Sequence, residues 1–109
     1  NILMSVMREG EYPRSIASQA SDTLIQTKDI EAAFVLCYTA KDEVMISARS
    51  KGDMNVQLIM EKMNGGGHKT AAGLQRKDSD IDSLKKELET VLRDYLSERK
   101  KENEGNTIE

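Results

Sequence analysis

Two periods of hydrophobic and polar residues run along the chain, and they predict strands and helices respectively. A period of two is typical of strands, and a stripe recurring every three or four residues is typical of helices. The segment 44–50 alternates between two faces. Its two faces are Val44, Ile46 and Ala48 on one side, and Met45, Ser47 and Arg49 on the other.

Three further segments have the composition of strands. The near-continuous apolar run from Ala32 to Tyr38 predicts a central strand covered on both faces. A polar turn at 41–43 joins it to the alternating strand as a hairpin. Ile2 to Met7 indicates a short first strand followed by a turn at 9–12, and Ala72 to Lys77 indicates a last strand.

Three segments have helical periodicity. The first begins after Pro13 and extends to about Gln26, with an apolar residue every four positions. In the second, Asn55 is the N-cap, the apolar face ends at Met63, and Gly65 is the expected C′ residue. The third has an apolar stripe over 81–96, which we interpret as a packing helix. A coiled-coil partner helix is the alternative, and the stripe lasts barely two heptads.

These elements follow one another in the order β-α-β-β-α-β-α. The order predicts an α/β fold in which helices pack on a sheet of about four strands. We expect residues 1–97 to form one domain. From Glu98 the sequence is polar and charged, and we expect residues 98–109 to be a disordered tail.

Composition limits the classes of function. The net charge of -3 over 109 residues argues against a broad basic surface that binds long DNA. It does not exclude a local phosphate-binding site. Cys37 is the one cysteine, so we expect a buried core thiol and no internal disulfide. No apolar run approaches the roughly 20 residues of a membrane span. The first residue is Asn1 rather than Met, which favours a piece of a longer protein.

Three consecutive glycines, Gly65, Gly66 and Gly67, precede the single histidine of the chain, His68. Glycines open the backbone to positive φ, so that successive N–H groups can converge on an anion. A histidine directly after them adds a titratable donor. This pattern predicts a phosphate site. The alternative is a flexible loop that ends in a surface histidine.

Other candidate ligands of the same phosphate lie at neighbouring element ends. The period of two places Ser47 beside Arg49 on one face, and an arginine near a strand end can bind a phosphate through two N–H groups. Ser50 and Asn55 follow at the turn into the second helix. Taken alone, Arg49 could equally be an ordinary exposed arginine on an edge strand, and Asn55 only a cap.

Four segments together resemble a known family. They are Ile46–Ser50 (ISARS), Asn55–Glu61 (NVQLIME), Gly65–His68 (GGGH) and Ala71–Ala72. The chain resembles the DHH-associated C-terminal domain of DHH-family phosphodiesterases, and more narrowly that of the membrane-anchored bacterial cyclic-di-AMP phosphodiesterases. The resemblance covers residues 2–96. One departure is Asn64, where the pattern leads us to expect a further glycine.

The resemblance implies a division of labour in the parent enzyme. A separate DHH module holds two manganese ions, which activate water for attack on a phosphodiester, and the DHH-associated module closes the cleft and grips the nucleotide. This chain has one histidine and no Asp-His-His sequence, so we expect no metal site in it and no hydrolysis by it alone.

The resemblance also implies residue roles. His68 is the expected catalytic donor to a phosphate oxygen, the glycine N–H groups hold phosphate, and Asn55 orients the ligand or the end of the Arg49 strand. The expected phosphate-binding set is Ser47, Arg49, Ser50, Gly65, Gly66 and Gly67.

The expected partners are an adenine dinucleotide or a short oligonucleotide and the DHH module of the same parent chain. A homodimer stays open. The parent would be anchored in the bacterial membrane with this domain in the cytoplasm, and this segment itself is not expected to touch the membrane. Two alternatives stay open: a DHH exonuclease or oligoribonuclease, and a non-enzymatic nucleic-acid-binding module like the related domain of alanyl-tRNA synthetases. The acidic balance argues against the latter.

Overall fold

The computed structural model describes residues 1–107, with side chains through Glu102. It confirms the α/β class and the order of the elements, with one short extra strand. The elements are β1 (Ile2–Glu11), α1 (Arg14–Leu24), β2 (Ala32–Ala40), β3 (Glu43–Ser50), α2 (Val56–Glu61), β4 (Gly66–Gly67), β5 (Ala71–Arg76) and α3 (Ile81–Thr107).

The five strands form one sheet in the order β1-β2-β3-β5-β4. β1 and β2 are parallel because α1 carries the chain back between them, and the other neighbours are antiparallel. The predicted hairpin between β2 and β3 is confirmed. Its turn is Lys41–Asp42, and Asp42 adopts a left-handed φ of 56°.

The two faces of the sheet are covered by different helices. The predicted alternation in β3 is confirmed, since Val44, Ile46 and Ala48 lie in the main core with α2 and α3. On the other face α1 packs on β2 and β3, where Cys37 is buried beside Ala17. Burial raises the pKa of the Cys37 thiol, as expected for a core cysteine.

β1 is longer than predicted. The turn expected at 9–12 is instead the end of the strand, because an irregularity between Met7 and Glu11 shifts the register against β2. Gly10 takes a φ of 81° within that irregularity, and pairing resumes at Glu11. A glycine in the left-handed region allows the strand to bulge without ending.

α3 is also longer than predicted. The segment expected to be a tail from Glu98 is helical up to Thr107, and residues 108–109 lie outside the described part. Ion pairs join the beginning of this segment to the rest of the domain, since Glu98 lies 3.7 Å from the Lys62 ammonium and Arg99 lies 3.9 Å from Glu31. Within the described residues, no helix is both long and apolar enough to cross a membrane.

Candidate phosphate-binding site

The turn after α2 begins with a left-handed asparagine. Asn64 has a φ of 65°, its N–H donates to the Glu61 carbonyl at 3.1 Å, and the Gly65 N–H donates to the Met60 carbonyl at 2.8 Å. These two bonds form a Schellman motif with Asn64 at C′. The prediction of Gly65 at C′ was therefore wrong by one residue. Asparagine tolerates this conformation well, which explains how it can stand where a glycine was expected.

The three glycines are not equivalent. A Cβ on Gly65 would lie 2.5 Å from the Gly73 carbonyl oxygen, and one on Gly67, whose φ is 143°, would lie 2.5 Å from the Ala72 Cα. A Cβ on Gly66 would meet nothing within 4 Å. The fold therefore requires glycine at 65 and 67, and Gly66 faces open space. The Gly65 N–H, already bound to the Met60 carbonyl, is not directed at a ligand in this structure.

β4 and β5 form a tight hairpin whose tip follows the histidine. Gly66 pairs with Gly73, and Gly67 pairs with Ala72. The His68 N–H donates to the Ala71 carbonyl at 2.7 Å, and the turn itself is 69–70. The backbone alone therefore closes this hairpin.

The hairpin tip is fixed between the end of β3 and the start of α2. The Ser50 N–H donates to the Thr70 carbonyl, and the Val56 N–H donates to the Lys69 carbonyl, each at 3.0 Å. Ser50 is 8% exposed, and its Oγ lies 3.5 Å from the Lys69 carbonyl oxygen. The structure thus brings Ser50, Asn55 and the histidine hairpin together, although the Ser50 hydroxyl faces inward to the hairpin.

Asn55 is the N-cap that the sequence predicted. Its Oδ1 accepts the Leu58 N–H at 3.2 Å, and its own N–H donates to the Tyr95 hydroxyl at 2.9 Å. Since the cap uses Oδ1, the group that Asn55 can offer a ligand is its side-chain amide NH₂.

The His68 side chain is exposed, and within residues 1–102 its ring makes no hydrogen bond. The ring therefore adds little to the hairpin that the backbone already closes. A solvent-facing imidazole beside open glycine backbone can donate to an anion.

Ser47 belongs to a buried chain of hydrogen bonds. The Ser21 hydroxyl donates to the Ser18 carbonyl at 2.9 Å, and the two hydroxyl oxygens of Ser21 and Ser47 are 2.8 Å apart. Because Ser21 has a single proton, Ser47 is the donor between them, and Arg49 Nη1 donates to the Ser47 Oγ at 3.3 Å. Ser47 is 2% exposed. Its proton is directed into the protein, so the structure does not offer it to a phosphate.

Arg49 is held on three sides. Nε donates to Asp22 Oδ1 at 2.7 Å, and Nη1 donates to the Ala48 carbonyl at 2.9 Å as well as to Ser47. β3 lies between β2 and β5, so the alternative of an edge-strand arginine does not apply. Its side chain is 17% exposed, and within residues 1–102 Nη2 makes no hydrogen bond. The remaining donor group of the guanidinium is therefore Nη2.

Next to Arg49 the same face of the sheet continues as nearly bare backbone. Ala71 is opposite Arg49, Gly73 is opposite Ser47, and Gly66 is opposite Gly73. Paired residues of an antiparallel ladder share a face, so this row has no side chain larger than a methyl group. We call Ala71, Gly73 and Gly66 the glycine platform. It lets a ligand approach the sheet backbone within reach of Arg49.

Sequence reasoning missed Ser21 and Asp22. A usable signal existed for Ser21, which follows Ala17 by four residues and so falls on the buried stripe of α1. No comparable signal identified Asp22, because its partner Arg49 lies 27 positions away.

An ion pair between Arg76 and Glu87, on the face of the sheet opposite Arg49, holds the turn that precedes the glycines. Arg76 donates to both carboxylate oxygens of Glu87, at 2.8 and 3.1 Å, and also to the Met63 carbonyl at 2.9 Å. The hydrogen bonds from Arg76 lower the pKa of Glu87. Arg76 on β5 thereby binds α3 through Glu87 and the turn after α2 through Met63, the residue before Asn64.

The described residues do not fit a manganese centre. They contain one histidine, and no group of three or more His, Cys, Asp and Glu residues among them could hold a metal ion. The groups that the site offers a ligand are backbone, arginine, amide and imidazole N–H groups, which can donate to an anion.

Comparisons with known proteins identify the family of the chain. A family model described as the DHHA1 domain matches residues 1–94. The cyclic-di-AMP phosphodiesterase PdeA of Listeria monocytogenes serotype 1/2a (strain 10403S) is 41% identical over 85 residues, which are 78% of this chain and 13% of that protein. The cyclic-di-AMP phosphodiesterase GdpP of Bacillus subtilis (strain 168) is 34% identical over 99 residues, which are 88% of this chain and 15% of that protein.

A third relative is named for a different activity. The bifunctional oligoribonuclease and PAP phosphatase NrnA of Thermus thermophilus is 34% identical over 70 residues, which are 62% of this chain and 22% of that protein. In all three comparisons the matched region is less than a quarter of the relative's length.

Proposed function

Because the chain belongs to the DHHA1 domain family, we propose that it is the substrate-binding half of a cyclic-dinucleotide phosphodiesterase and grips the nucleotide phosphate. The single observation that carries the proposal is the glycine platform beside Arg49. Gly66 has open space where a Cβ would stand, and on the same face, two strands away in the sheet, Arg49 is clamped by three neighbours. Gly66 is a glycine that the fold does not require, and it shares a face of the sheet with Arg49, a cation that is already oriented. This arrangement suits the close approach of an anionic ligand.

The residues then divide into those that contact the ligand and those that support the contact. The Arg49 guanidinium, the Gly66 and Gly67 backbone and the Asn55 amide would contact phosphate or sugar. Ser47 and Ser50 would act indirectly, by holding Arg49 and the hairpin tip. This revises the direct role that the sequence suggested for these two serines.

His68 would donate to a phosphate oxygen near the bond that breaks. Its exposed ring follows directly after the glycines, where charge on the phosphoryl oxygens changes during the reaction. The two manganese ions would be held by a DHH module of the parent chain, since the residues described here do not fit them. In that arrangement this domain supplies binding and one donor, and alone it would not hydrolyse cyclic-di-AMP.

The ligand class that the relatives' names support is an adenine cyclic dinucleotide, since PdeA and GdpP both carry that activity in their names. The same proposal includes a parent protein that is anchored in the membrane and carries this domain on its cytoplasmic side. It also includes a homodimer. The second candidate is a short oligoribonucleotide, which the similarity to NrnA favours.

A titration of the isotopically labelled chain with cyclic-di-AMP tests the proposal. We expect weak binding, because half a cleft offers half the contacts. The amides of Arg49, Asn55 and residues 66–68 should shift first in NMR spectra. A parallel titration with a linear adenine dinucleotide compares the two candidates. Shifts confined to α3 would show that the site is elsewhere.

A further inference from the structure

Asp22 is an exposed carboxylate at the edge of the proposed phosphate site. It lies on α1 with 61% of its side chain exposed, and its Oδ1 accepts a hydrogen bond from Arg49 Nε at 2.7 Å. The arginine side chain itself is 17% exposed. The cation that we assign to ligand phosphate is therefore already paired with an anion of the same domain.

Counting the N–H groups of Arg49 shows which partner a ligand could replace. A guanidinium binds an anion through two N–H groups of one edge, either Nε with Nη2 or Nη1 with Nη2. Nη1 is held by the Ala48 carbonyl and by buried Ser47, both part of the central strand β3. Asp22 is the solvent-exposed partner. A phosphate that takes two N–H groups therefore displaces Asp22 from Nε.

The displaced carboxylate stays close to the ligand. Asp22 follows Ser21, whose hydroxyl is bonded to Ser47 in the buried interface between α1 and β3. The Asp22 backbone is thus fixed, and only its short side chain can turn away. Its charge then repels the bound phosphate in proportion to the phosphate's own charge.

We propose that Asp22 competes with ligand phosphate for Arg49 and so makes the site select a phosphodiester over a terminal phosphomonoester. A diester carries one negative charge, whereas a monoester carries about 1.5 to 2 at neutral pH. Asp22 is then a specificity-determining residue. The inference rests on the proposed function, because it requires Arg49 to contact phosphate.

The test compares two ligands that differ by one group: the linear dinucleotide ApA, with and without a 5′-terminal phosphate. Each is titrated into the wild-type chain and into Asp22→Asn, which keeps the shape and removes the charge. Exposed ion pairs of this kind are weak, and their loss corresponds to changes of about two- to fivefold in affinity. We expect Asp22→Asn to bind both ligands more tightly, with the larger gain for the phosphorylated one.

Asp94→Asn is the matched control, because it removes the same charge from an exposed position of α3 on the other face of the sheet. It should leave the ratio of the two affinities unchanged. If Asp22→Asn behaves like Asp94→Asn, or binds the phosphorylated ligand more weakly than wild type, the inference is overturned.

Arg49→Ala separates this result from the proposed function. If Arg49→Ala weakens binding while Asp22→Asn has no effect, the phosphate role of Arg49 stands and only the competition fails. If Arg49→Ala binds both ligands like wild type, then Arg49 is not a phosphate ligand and both proposals fail. If wild type and Asp22→Asn bind neither ligand, the competition fails and the cyclic-di-AMP titration decides the proposed function. Thermal melting of each variant confirms that the comparison is made on folded protein.

Discussion

The Oγ of Ser47 lies 2.8 Å from the Oγ of Ser21, and both serines are buried between α1 and β3. The proton order along this chain runs from Arg49 through Ser47 and Ser21 to the Ser18 carbonyl. A polar chain of this kind stabilises the fold when every member is satisfied and costs free energy when one member is lost.

Removing the hydroxyl of Ser21 or of Ser47 alone should therefore lower the free energy of unfolding by more than half as much as removing both hydroxyls. Ser21→Ala leaves the Ser47 proton buried without its acceptor, and we expect a loss of about 1–3 kcal/mol in the free energy of unfolding. Ser21→Ala/Ser47→Ala should cost less than the sum of the single variants. Urea denaturation measures all three. Thr23→Ala, which removes an exposed α1 hydroxyl bonded to the Gln19 carbonyl, is the control. Strict additivity would contradict the shared chain.

Substitution by alanine should affect stability at Gly67 and ligand binding at Gly66. Gly67→Ala places a Cβ 2.5 Å from the Ala72 Cα at a φ of 143°, so we expect at least about 1–3 kcal/mol of destabilisation. Gly66→Ala meets no protein atom within 4 Å and should leave the melting temperature nearly unchanged. It should nevertheless weaken binding of cyclic-di-AMP, because the new methyl group stands where the ligand approaches. An unchanged affinity in a folded Gly66→Ala variant would remove the platform from the site.

His68→Ala should reduce catalysis in the parent enzyme without harming the fold. The ring is exposed and makes no hydrogen bond within residues 1–102, so we expect the melting temperature to be nearly unchanged. If one preorganised donor to the transition state is lost, kcat should fall by on the order of 10²-fold, with little change in KM. Steady-state kinetics and melting of the same preparation measure both effects. A destabilised but fully active variant would show that His68 has a structural role instead.

Glu87→Gln should lose stability at neutral pH and little at acid pH. Arg76 lowers the pKa of Glu87 below its usual 4.5. A carboxyl whose pKa is lower in the folded protein contributes stability above its unfolded pKa and loses it as the pH falls through the folded value. With 42% of the Glu87 side chain exposed, solvent screens the pair, and we expect about 0.5–1 kcal/mol at pH 7.

Unfolding by urea at pH 7 and at pH 3 measures this difference. Glu89→Gln, an exposed carboxylate on the same helix, should change stability less at pH 7. A loss of equal size at both pH values would mean that Glu87 acts through packing rather than through its charge.

Much of the fold and part of the site followed from local patterns. The period of two placed Val44, Ile46 and Ala48 on one face, and Asn55 was identified as a cap from its position before an apolar stripe; the structure confirms both. The resemblance carried by the GGGH segment is confirmed by the family match over residues 1–94. Each of these signals lies within a few consecutive residues.

What the sequence did not predict depends on distant partners. The burial of Ser47 depends on Ser21 in a helix 26 positions earlier, and the different requirements of Gly65, Gly66 and Gly67 depend on β5. The short strand β4 has no period at all, since it consists of two glycines. Long-range pairing creates these features, and no local pattern records it.

The parallel pairing of β1 with β2 bears on the order in which the chain folds. Ile2 pairs with Ala32, so this contact closes a loop of about 30 residues, which costs more chain entropy than a hairpin. Two residues, 41–42, join β2 to β3, and a tight turn joins β4 to β5, whereas the pairing of Arg49 with Ala71 closes a loop of about 22 residues between β3 and β5. We therefore expect the two hairpins, β2–β3 and β4–β5, to form early, and the pairings of β1 with β2 and of β3 with β5 to follow, because each of them closes a long loop.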